Sequence, residues 1–161
     1  MIKKNIQKIK LVATDIDGVW TDAKMYYTEN GDYMKAFSTY DGMAVKLLKE
    51  SGLQTVILTS ENTKIVLQRA KKLNIENVFI NEQEKLKRMT YICNKLKISL
   101  DEVAYIGDDV NDLELLNAVG FSGVPINSPI LNQFQPNFIS KRVGGSGAFR
   151  EFADVIIKNQ Q

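Results

Sequence analysis

The amino-acid sequence predicts an α/β fold in which a Rossmann-like parallel sheet is flanked by helices. Short apolar runs alternate along the chain with amphipathic segments, which is the pattern of strands joined by crossover helices. The length of 161 residues fits one domain, and 44% apolar with 25% charged residues is typical of a globular protein. We therefore expect a single domain over residues 1–161.

Five short apolar runs are the predicted strands, at residues 11–14, 55–58, 78–80, 103–106 and 123–126. The amphipathic segments between them predict helices. Asp41 is a candidate N-cap for a helix over residues 41–50, and Asn62 is a candidate for the next one. A third helix has apolar residues at helical spacing, namely Leu86, Met89, Cys93 and Leu96. This spacing makes Cys93 a core residue rather than a nucleophile. Two further helices are expected over residues 113–119 and 149–157.

One segment, residues 24–39, breaks the alternation. It reads KMYYTENGDYMKAFST and holds two aromatic-rich runs around Asn30-Gly31, which is a strong β-hairpin signal. This hairpin interrupts the connection between the first strand and the first helix. We therefore expect a flap close to the residues that follow the first strand.

Composition excludes several kinds of chemistry. The chain has no histidine, so proton transfer must use a carboxylate, a lysine, a tyrosine or the single Cys93. A histidine-based zinc site and a Ser-His-Asp triad are excluded. One cysteine cannot form an internal disulfide, which fits a cytoplasmic protein. No apolar stretch approaches the roughly 20 residues that span a bilayer, and nothing resembles a signal peptide, so we expect no membrane partner.

The basic residues at the start of the chain do not predict nucleic-acid binding. Four lysines lie in the first ten positions, namely Lys3, Lys4, Lys8 and Lys10. The net charge is nevertheless only +2, from 21 basic and 19 acidic residues. We interpret the run as a solvated start of the chain rather than as a nucleic-acid arm.

Polar residues follow the predicted strands, at the edge where an open parallel sheet collects its ligands. In chain order they are Asp15 and Asp17, Thr59 and Ser60, Lys85 at a helix start, and Asp108, Asp109, Asn111 and Asp112 of the segment GDDVND. An oxygen-rich cluster of this kind suits a hard cation, with Mg²⁺ the first choice. The added lysine and hydroxyl suit a phosphate, whose charge the metal and lysine would neutralise during attack by a carboxylate.

These motifs, in this order, resemble those of the haloacid dehalogenase-like phosphatases. The resemblance implies that Asp15 is the nucleophile and forms an aspartyl-phosphate, while Asp17 serves as general acid and then as general base. It implies that Thr59 and Lys85 hold the phosphate. It also implies a Mg²⁺ ion on Asp15, the Asp17 carbonyl and Asp108. Asp112 would support the ion; Asn111 has a supporting place too, and Asp109 is either a further supporting residue or a helix cap.

Other segments resemble one branch of that family, which lacks a cap domain and hydrolyses sugar-acid phosphates. They are DGVWTD, the hairpin, YDGMAVKLLKESG and GGSGAFREF. The branch includes the 3-deoxy-D-manno-octulosonate 8-phosphate phosphatases and the nonulosonate 9-phosphate phosphatases. The octulosonate enzymes usually have Thr-Gly-Arg after the second strand, whereas this chain has Thr59-Ser60-Glu61. Glu61, paired with Lys72, resembles the nine-carbon group, which favours KDN or N-acetylneuraminate 9-phosphate and leaves the eight-carbon substrate as the alternative.

We expect a homotetramer in which a neighbouring subunit completes each site, as the resemblance implies. The aromatic residues of the hairpin would form a poor exposed edge in a monomer, and they are Tyr26, Tyr27, Tyr33 and Phe37. The tail KRVGGSGAFRE combines glycines with cationic residues, among them Arg150, which suits the approach to an anionic substrate. The alternative for this tail is a frayed loop before a packed helix.

Two other classes of protein compete with an enzyme. A response-regulator receiver also has early acids, a threonine and a lysine, but its phosphorylated aspartate follows a later strand, where this chain has Thr59-Ser60-Glu61. A binding or oligomerisation module descended from the phosphatases would lose catalytic residues, whereas this chain retains them. An active phosphatase is therefore the favoured interpretation.

Overall fold

A six-stranded parallel sheet forms the centre of the protein, for which a computed structural model describes residues 6–160. Its strands are β1 Leu11–Thr14, β4 Gln54–Leu58, β5 Asn77–Phe79, β6 Val103–Ile106, β7 Phe121–Pro125 and β8 Phe138–Ser140. They lie in the order β5-β4-β1-β6-β7-β8 across the sheet. The predicted fold class is confirmed. Strand β8 was not predicted from the sequence, because its apolar run is only Phe138 and Ile139.

The position of β1 determines where a site can form. Leu11 pairs in parallel with Gln54 of β4 on one side and with Val103 of β6 on the other. The chain therefore continues to one side of β1 and later returns on its other side. Such a reversal of strand order opens a crevice at the carboxyl ends of the strands. The loops after β1, β4 and β6 meet at this crevice.

Within residues 39–160, five α-helices flank the sheet. They are α1 Thr39–Glu50, α2 Lys64–Lys72, α3 Lys85–Leu96, α4 Leu113–Ala118 and α5 Ala148–Gln160. Two predicted caps are wrong. Ser38, not Asp41, caps α1 by accepting from Tyr40 N, and Thr63, not Asn62, caps α2. Each true cap is a hydroxyl residue that lies at the first extended position before its helix, which local sequence alone does not distinguish from neighbouring Asp or Asn.

Two hydrophobic cores hold the helices against the sheet. On one face, α1, α2 and α5 cover alternate residues of β1 such as Val12, and Trp20 stacks on Phe149 with ring centroids 5.0 Å apart. On the other face, α3 and α4 cover Leu11 and Ala13. The predicted placement of Cys93 in this second core is confirmed. A sheet buried on both faces explains why its strands read as continuous apolar runs.

The segment between β1 and α1 contains the expected hairpin, with β2 at Tyr26–Thr28 and β3 at Gly31–Met34. Gly31 has φ +102°, which favours glycine at this turn. The hairpin stands away from the core, since Tyr27 and Tyr33 are 65% and 68% exposed. In residues 6–160 no helix combines the length and apolar character needed to cross a membrane. Of the N-terminal lysines, Lys3 and Lys4 lie outside the described residues.

Candidate active site

Three buried carboxylates meet where the loops after β1 and β6 come together. Oxygen atoms of Asp15, Asp108 and Asp112 all lie within 4.8 Å of one another. The two loops approach so closely at Gly18, where φ is +85°, that a Cβ atom there would overlap the Asp108 carboxylate. Gly18 therefore serves the site by leaving room for a carboxylate from another loop.

Asp112 binds the groups around this cluster through both of its carboxylate oxygens. Its Oδ1 accepts from the Tyr105 hydroxyl at 2.5 Å and from Lys85 Nζ at 2.6 Å. Its Oδ2 accepts from the backbone N–H groups of Asp108, at 2.9 Å, and Asp109, at 3.3 Å. Both oxygens of Asp112 are thus engaged by the protein, and its support of a metal ion stays a prediction.

Lys85 lies at the start of α3 and is almost fully buried. Its Nζ is 3.1 Å from Asp15 Oδ1 as well as bonded to Asp112. Burial lowers the pKa of Lys85, but the carboxylates of Asp15 and Asp112 outweigh this effect and the pKa is raised overall. The lysine therefore remains a cation beside the proposed nucleophile.

The carboxylates destabilise one another in their charged forms. Burial, followed by the charge of Asp112, raises the pKa of Asp15 well above its ordinary value, against the opposing effect of Lys85. Burial and the charges of Asp112 and Asp109 raise the pKa of Asp108 to about 7. One lysine thus leaves an excess of negative charge among three buried acids. Hard oxygen donors of this number and charge fit a Mg²⁺ ion.

The loop after β4 forms the opposite wall. Thr59 is buried, and its Oγ1 accepts from Glu61 N at 3.4 Å. Ser60 Oγ accepts from Asn111 Nδ2 at 3.0 Å, which joins this loop to the loop after β6. Together the loops enclose a cavity of about 210 Å³ whose lining is Asp15, Asp17, Ala23, Thr59, Ser60, Glu61, Asp108, Asp109 and Asn111. Most of the sequence-predicted site residues therefore share one cavity.

Asp109 has the geometry of a helix cap. Its carboxylate accepts from Val110 N at 2.7 Å, at the start of a 3₁₀ turn over Val110–Asp112. It also lines the cavity. The Ser128 hydroxyl donates to the Asp108 carbonyl at 2.6 Å and so holds the same loop in place.

Lys72 and Arg150 lie away from the cavity. Lys72 is the last residue of α2, about 12 Å along the helix axis from Lys64, and it lines a different groove with Arg69 and Lys49. The predicted pairing of Lys72 with Glu61 is not formed within the chain, because Glu61 precedes the opposite end of this helix. The Arg150 guanidinium pairs with Asp154, with Nε 2.8 Å from Oδ1.

The glycine-rich tail is ordered against its own chain. Gly145 N donates to the Val19 carbonyl at 3.0 Å, and Gly144 N donates to Asn127 Oδ1 at 3.0 Å. A Cβ atom on Gly144 would overlap the Gly18 carbonyl. The glycines therefore provide close packing on the loop that carries Asp17. The alternative of a frayed loop is wrong for this segment, and its contact with another subunit stays a prediction.

Three residues that contact the predicted site residues were not predicted from the sequence, and they are Ser128, Tyr105 and Lys35. Tyr105 is fully buried on β6 and touches both Asp112 and Lys85. Lys35, in the flap, pairs with Asp17 at 2.5 Å. The available signals were a tyrosine inside a strand that is buried on both faces, and a single lysine between apolar residues in the run YMKAF.

Comparison with known proteins identifies the family. Residues 30–120 match the family model of the haloacid dehalogenase-like hydrolases. The chain is 32% identical over 159 residues to the 3-deoxy-D-manno-octulosonate 8-phosphate phosphatase of Haemophilus influenzae, covering 99% of this chain and 88% of that protein. The Escherichia coli K12 protein of the same name is 30% identical over 154 residues, covering 96% of this chain and 82% of the relative.

A solved structure agrees with these relatives. It is the Moraxella catarrhalis 3-deoxy-D-manno-octulosonate 8-phosphate phosphatase, described as a complex with a magnesium ion, a phosphate ion and a KDO molecule. The two folds superimpose with a TM-score of 0.93 at 34% identity, covering 99% of this chain and 91% of the other.

The chain belongs to the haloacid dehalogenase-like hydrolases. Within that family it is a phosphatase of the branch without a cap domain, and so a phosphoric monoester hydrolase. The acidic cluster fits the cation that the sequence predicted, and the Mg²⁺ cofactor is confirmed.

Proposed function

We propose that this enzyme hydrolyses 3-deoxy-D-manno-octulosonate 8-phosphate, a phosphorylated 2-keto-3-deoxy sugar acid. The observation that carries the proposal is the position of Lys85, which lies 3.1 Å from Asp15 inside a cluster of buried carboxylates. This arrangement gives a nucleophile and a metal site at one small cavity, with a buried lysine cation directly beside the nucleophile. The names of its relatives support the eight-carbon substrate.

Asp15, the Asp17 carbonyl and Asp108 are the groups that would hold the Mg²⁺ ion. When bound, the ion supplies positive charge that neutralises the phosphate oxygens. Lys85 supplies further positive charge from the side of α3, and Thr59 supplies a hydroxyl from the end of β4. Asp112, Tyr105 and Ser128 hold these groups in place.

In the first step, a carboxylate oxygen of Asp15 attacks phosphorus and the bond from phosphorus to the sugar oxygen breaks. The proton on Asp17 passes to the leaving oxygen, so the sugar departs as an alcohol. In the second step, Asp17 accepts a proton from water, whose oxygen attacks phosphorus while the bond to Asp15 breaks. Inorganic phosphate leaves and both aspartates return to their starting forms.

The cavity of about 210 Å³ has room for the phosphoryl group and the atoms next to it, so the rest of a sugar acid would extend beyond it. A neighbouring subunit would supply the remaining contacts, which is why we propose a homotetramer. Lys72 and Arg150 are candidates for such contacts across subunits, since neither reaches the cavity of its own chain. The single, buried Cys93 agrees with a reducing cytoplasm as the place of action.

A nine-carbon substrate is the second candidate, and Glu61 is the observation that favours it. Its acidic side chain lines the cavity at the position where octulosonate enzymes usually have arginine. The relatives do not support this preference, since the Haemophilus, Escherichia and Moraxella proteins all bear the eight-carbon name. The eight-carbon phosphate is therefore the primary proposal.

Two measurements test the proposed function. The kcat/KM values for 3-deoxy-D-manno-octulosonate 8-phosphate and for KDN and N-acetylneuraminate 9-phosphates, measured side by side, identify the substrate; a higher value for a nine-carbon phosphate would overturn the first choice. Asp15→Asn should abolish turnover while the circular dichroism spectrum is unchanged. Asp22→Asn is the matched control, because Asp22 lies in the same loop but pairs with exposed Lys24. Full turnover by Asp15→Asn would exclude the aspartyl-phosphate.

A further inference from the structure

Lys35 brings a buried cation from the flap into the active site. It follows β3 directly, and its side chain is only 1% exposed although it lies in an otherwise exposed hairpin. Its Nζ is 2.5 Å from Asp17 Oδ1 and 3.5 Å from the Met25 sulfur. No role for Lys35 follows from the motifs of the sequence, and none of the steps derived above uses it.

The ion pair with Lys35 involves only one of the two carboxylate oxygens of Asp17. Oδ1 accepts the bond from Lys35, whereas Oδ2 is buried and has no hydrogen-bond partner in the described chain. Asp17 lines the catalytic cavity. The lysine therefore fixes the rotation of the carboxyl group, and Oδ2 is the oxygen left without a hydrogen bond. A carboxyl group that carries its proton on Oδ2 still accepts at Oδ1, so the contact is compatible with both forms of Asp17.

We propose that Lys35 is a positioning residue for Asp17, through which the flap sets the orientation of the general acid and base. The inference rests on the proposed function of Asp17. Proton transfer depends on hydrogen-bond geometry, so a carboxyl group that can rotate freely transfers its proton less efficiently. Removal of one partner of a buried ion pair leaves the other charge uncompensated. The orientation of Asp17 is therefore sensitive to the loss of Lys35.

Direct binding of the phosphate by Lys35 is the alternative role, and it predicts a different substrate dependence. If Lys35 acted on the phosphate directly, as Lys85 is proposed to do, it would favour every phosphate monoester equally. A positioning residue acts only where Asp17 acts. A sugar alkoxide is a poor leaving group that needs a proton, whereas p-nitrophenolate is a good one that does not. The second step, in which Asp17 accepts a proton from water, is the same for both substrates. The leaving group therefore distinguishes the two roles in kcat/KM, which reports the first step.

The first test compares Lys35→Met with Lys24→Met on 3-deoxy-D-manno-octulosonate 8-phosphate and on p-nitrophenyl phosphate. Lys24 is a matched control because it lies in the same segment and pairs with Asp22, but its side chain is 71% exposed. General acid catalysis contributes about 10²–10⁴-fold, so we expect Lys35→Met to lower kcat/KM for the sugar phosphate by about tenfold or more. The aryl phosphate should be affected little, and Lys24→Met should match the wild type on both.

The second test places Lys35→Met in an Asp17→Asn background. Because Lys35 acts through Asp17, the double variant should be no slower on the sugar phosphate than Asp17→Asn alone. Lys35→Arg, which retains the charge, should recover part of the loss. Equal losses on the two substrates, or a further loss in the Asp17→Asn background, would overturn the inference in favour of direct phosphate binding.

A third readout does not depend on turnover. In ¹⁵N NMR of the whole protein, a buried and bonded Lys35 ammonium should give a signal protected from solvent exchange, and Asp17→Asn should shift or remove it. An unchanged signal in Asp17→Asn would overturn the inference, whatever the activity. Turnover that survives Asp15→Asn would instead overturn the proposed function, so the two failures are distinguishable.

Discussion

The Asp41 carboxylate accepts a hydrogen bond from the backbone N–H of Arg150 at 2.9 Å, which joins α1 to the first turn of α5 across 109 positions of sequence. Asp41 is completely buried and its Oδ2 has no partner in the described chain. It therefore serves as an N-cap that one helix provides for another. The contact anchors α5 directly after the glycines that pack on the catalytic loop.

This contact predicts a pH dependence of stability. Burial raises the pKa of Asp41 from 3.8 to about 6, against opposing hydrogen bonds from Arg150 and Gly147 and the charges of Arg69 and Arg142. The folded protein then binds more protons than the unfolded chain between these values, so Asp41 lowers the free energy of unfolding as the pH rises from about 4 to about 6. The difference amounts to at most about 3 kcal/mol.

Asp41→Asn should remove this part of the pH dependence, because an amide oxygen can still accept from Arg150 N and carries no charge. Urea denaturation at several pH values between 4 and 7, with saturating Mg²⁺ present, measures the effect. Asp154→Asn is the control, since Asp154 lies on the exposed side of α5 and pairs with Arg150. Identical pH profiles for Asp41→Asn and the wild type would contradict the prediction.

The pKa of Asp108 predicts that Mg²⁺ binding weakens in acid. Since burial raises this pKa to about 7, Asp108 holds a proton below that pH, and the ion must displace it. The apparent affinity should fall by about tenfold per pH unit below 7 for each proton displaced. Calorimetric titrations in two buffers of different ionisation enthalpy measure the affinity and the proton release. An affinity that is flat between pH 6 and 8 would contradict the prediction.

Gly144→Ala should displace the loop that carries Asp17. The new Cβ atom would overlap the Gly18 carbonyl, which is backbone and cannot move aside without shifting the loop that carries Asp17. Overpacking of this kind destabilises by about 1–3 kcal/mol, and we expect kcat/KM to fall further than stability alone explains. Gly42→Ala is the control, because its Cβ atom would meet the flexible end of Arg69. Wild-type kinetics in Gly144→Ala would refute this role.

The sequence predicted those site residues whose position follows from a strand end. Asp15 and Thr59 come directly after a short apolar run and Asp108 one residue later, and parallel strands bring such ends together. Local sequence could not predict the partner of Asp41. The prediction that Asp41 caps its own helix is wrong, because its carboxylate accepts from Arg150 N on α5. Lys35 and Tyr105 were missed for the same reason, since their roles arise from contacts that fold topology creates and no short motif records.

The last prediction concerns assembly through the flap. A two-stranded hairpin is marginally stable by itself, and here it exposes Tyr27 and Tyr33 while it must hold Lys35 against Asp17. Clustered exposed aromatic side chains indicate a surface that becomes covered, and another copy of the chain is the occupant that would also extend the small cavity. With the homotetramer proposed above, light scattering should give about four times the chain mass of 18.2 kDa.

A Tyr27→Glu/Tyr33→Glu variant should place charges in that interface and dissociate the assembly. Because the flap then holds Asp17 less firmly, kcat/KM should fall more for the sugar phosphate than for p-nitrophenyl phosphate. Tyr91→Glu is the matched control, since Tyr91 is 49% exposed on α3, far from the hairpin in sequence and outside the catalytic cavity. It should keep both mass and activity. A wild-type monomer with full activity would refute the shared assembly, whereas a dissociated variant with unchanged kinetics would separate assembly from the support of Asp17.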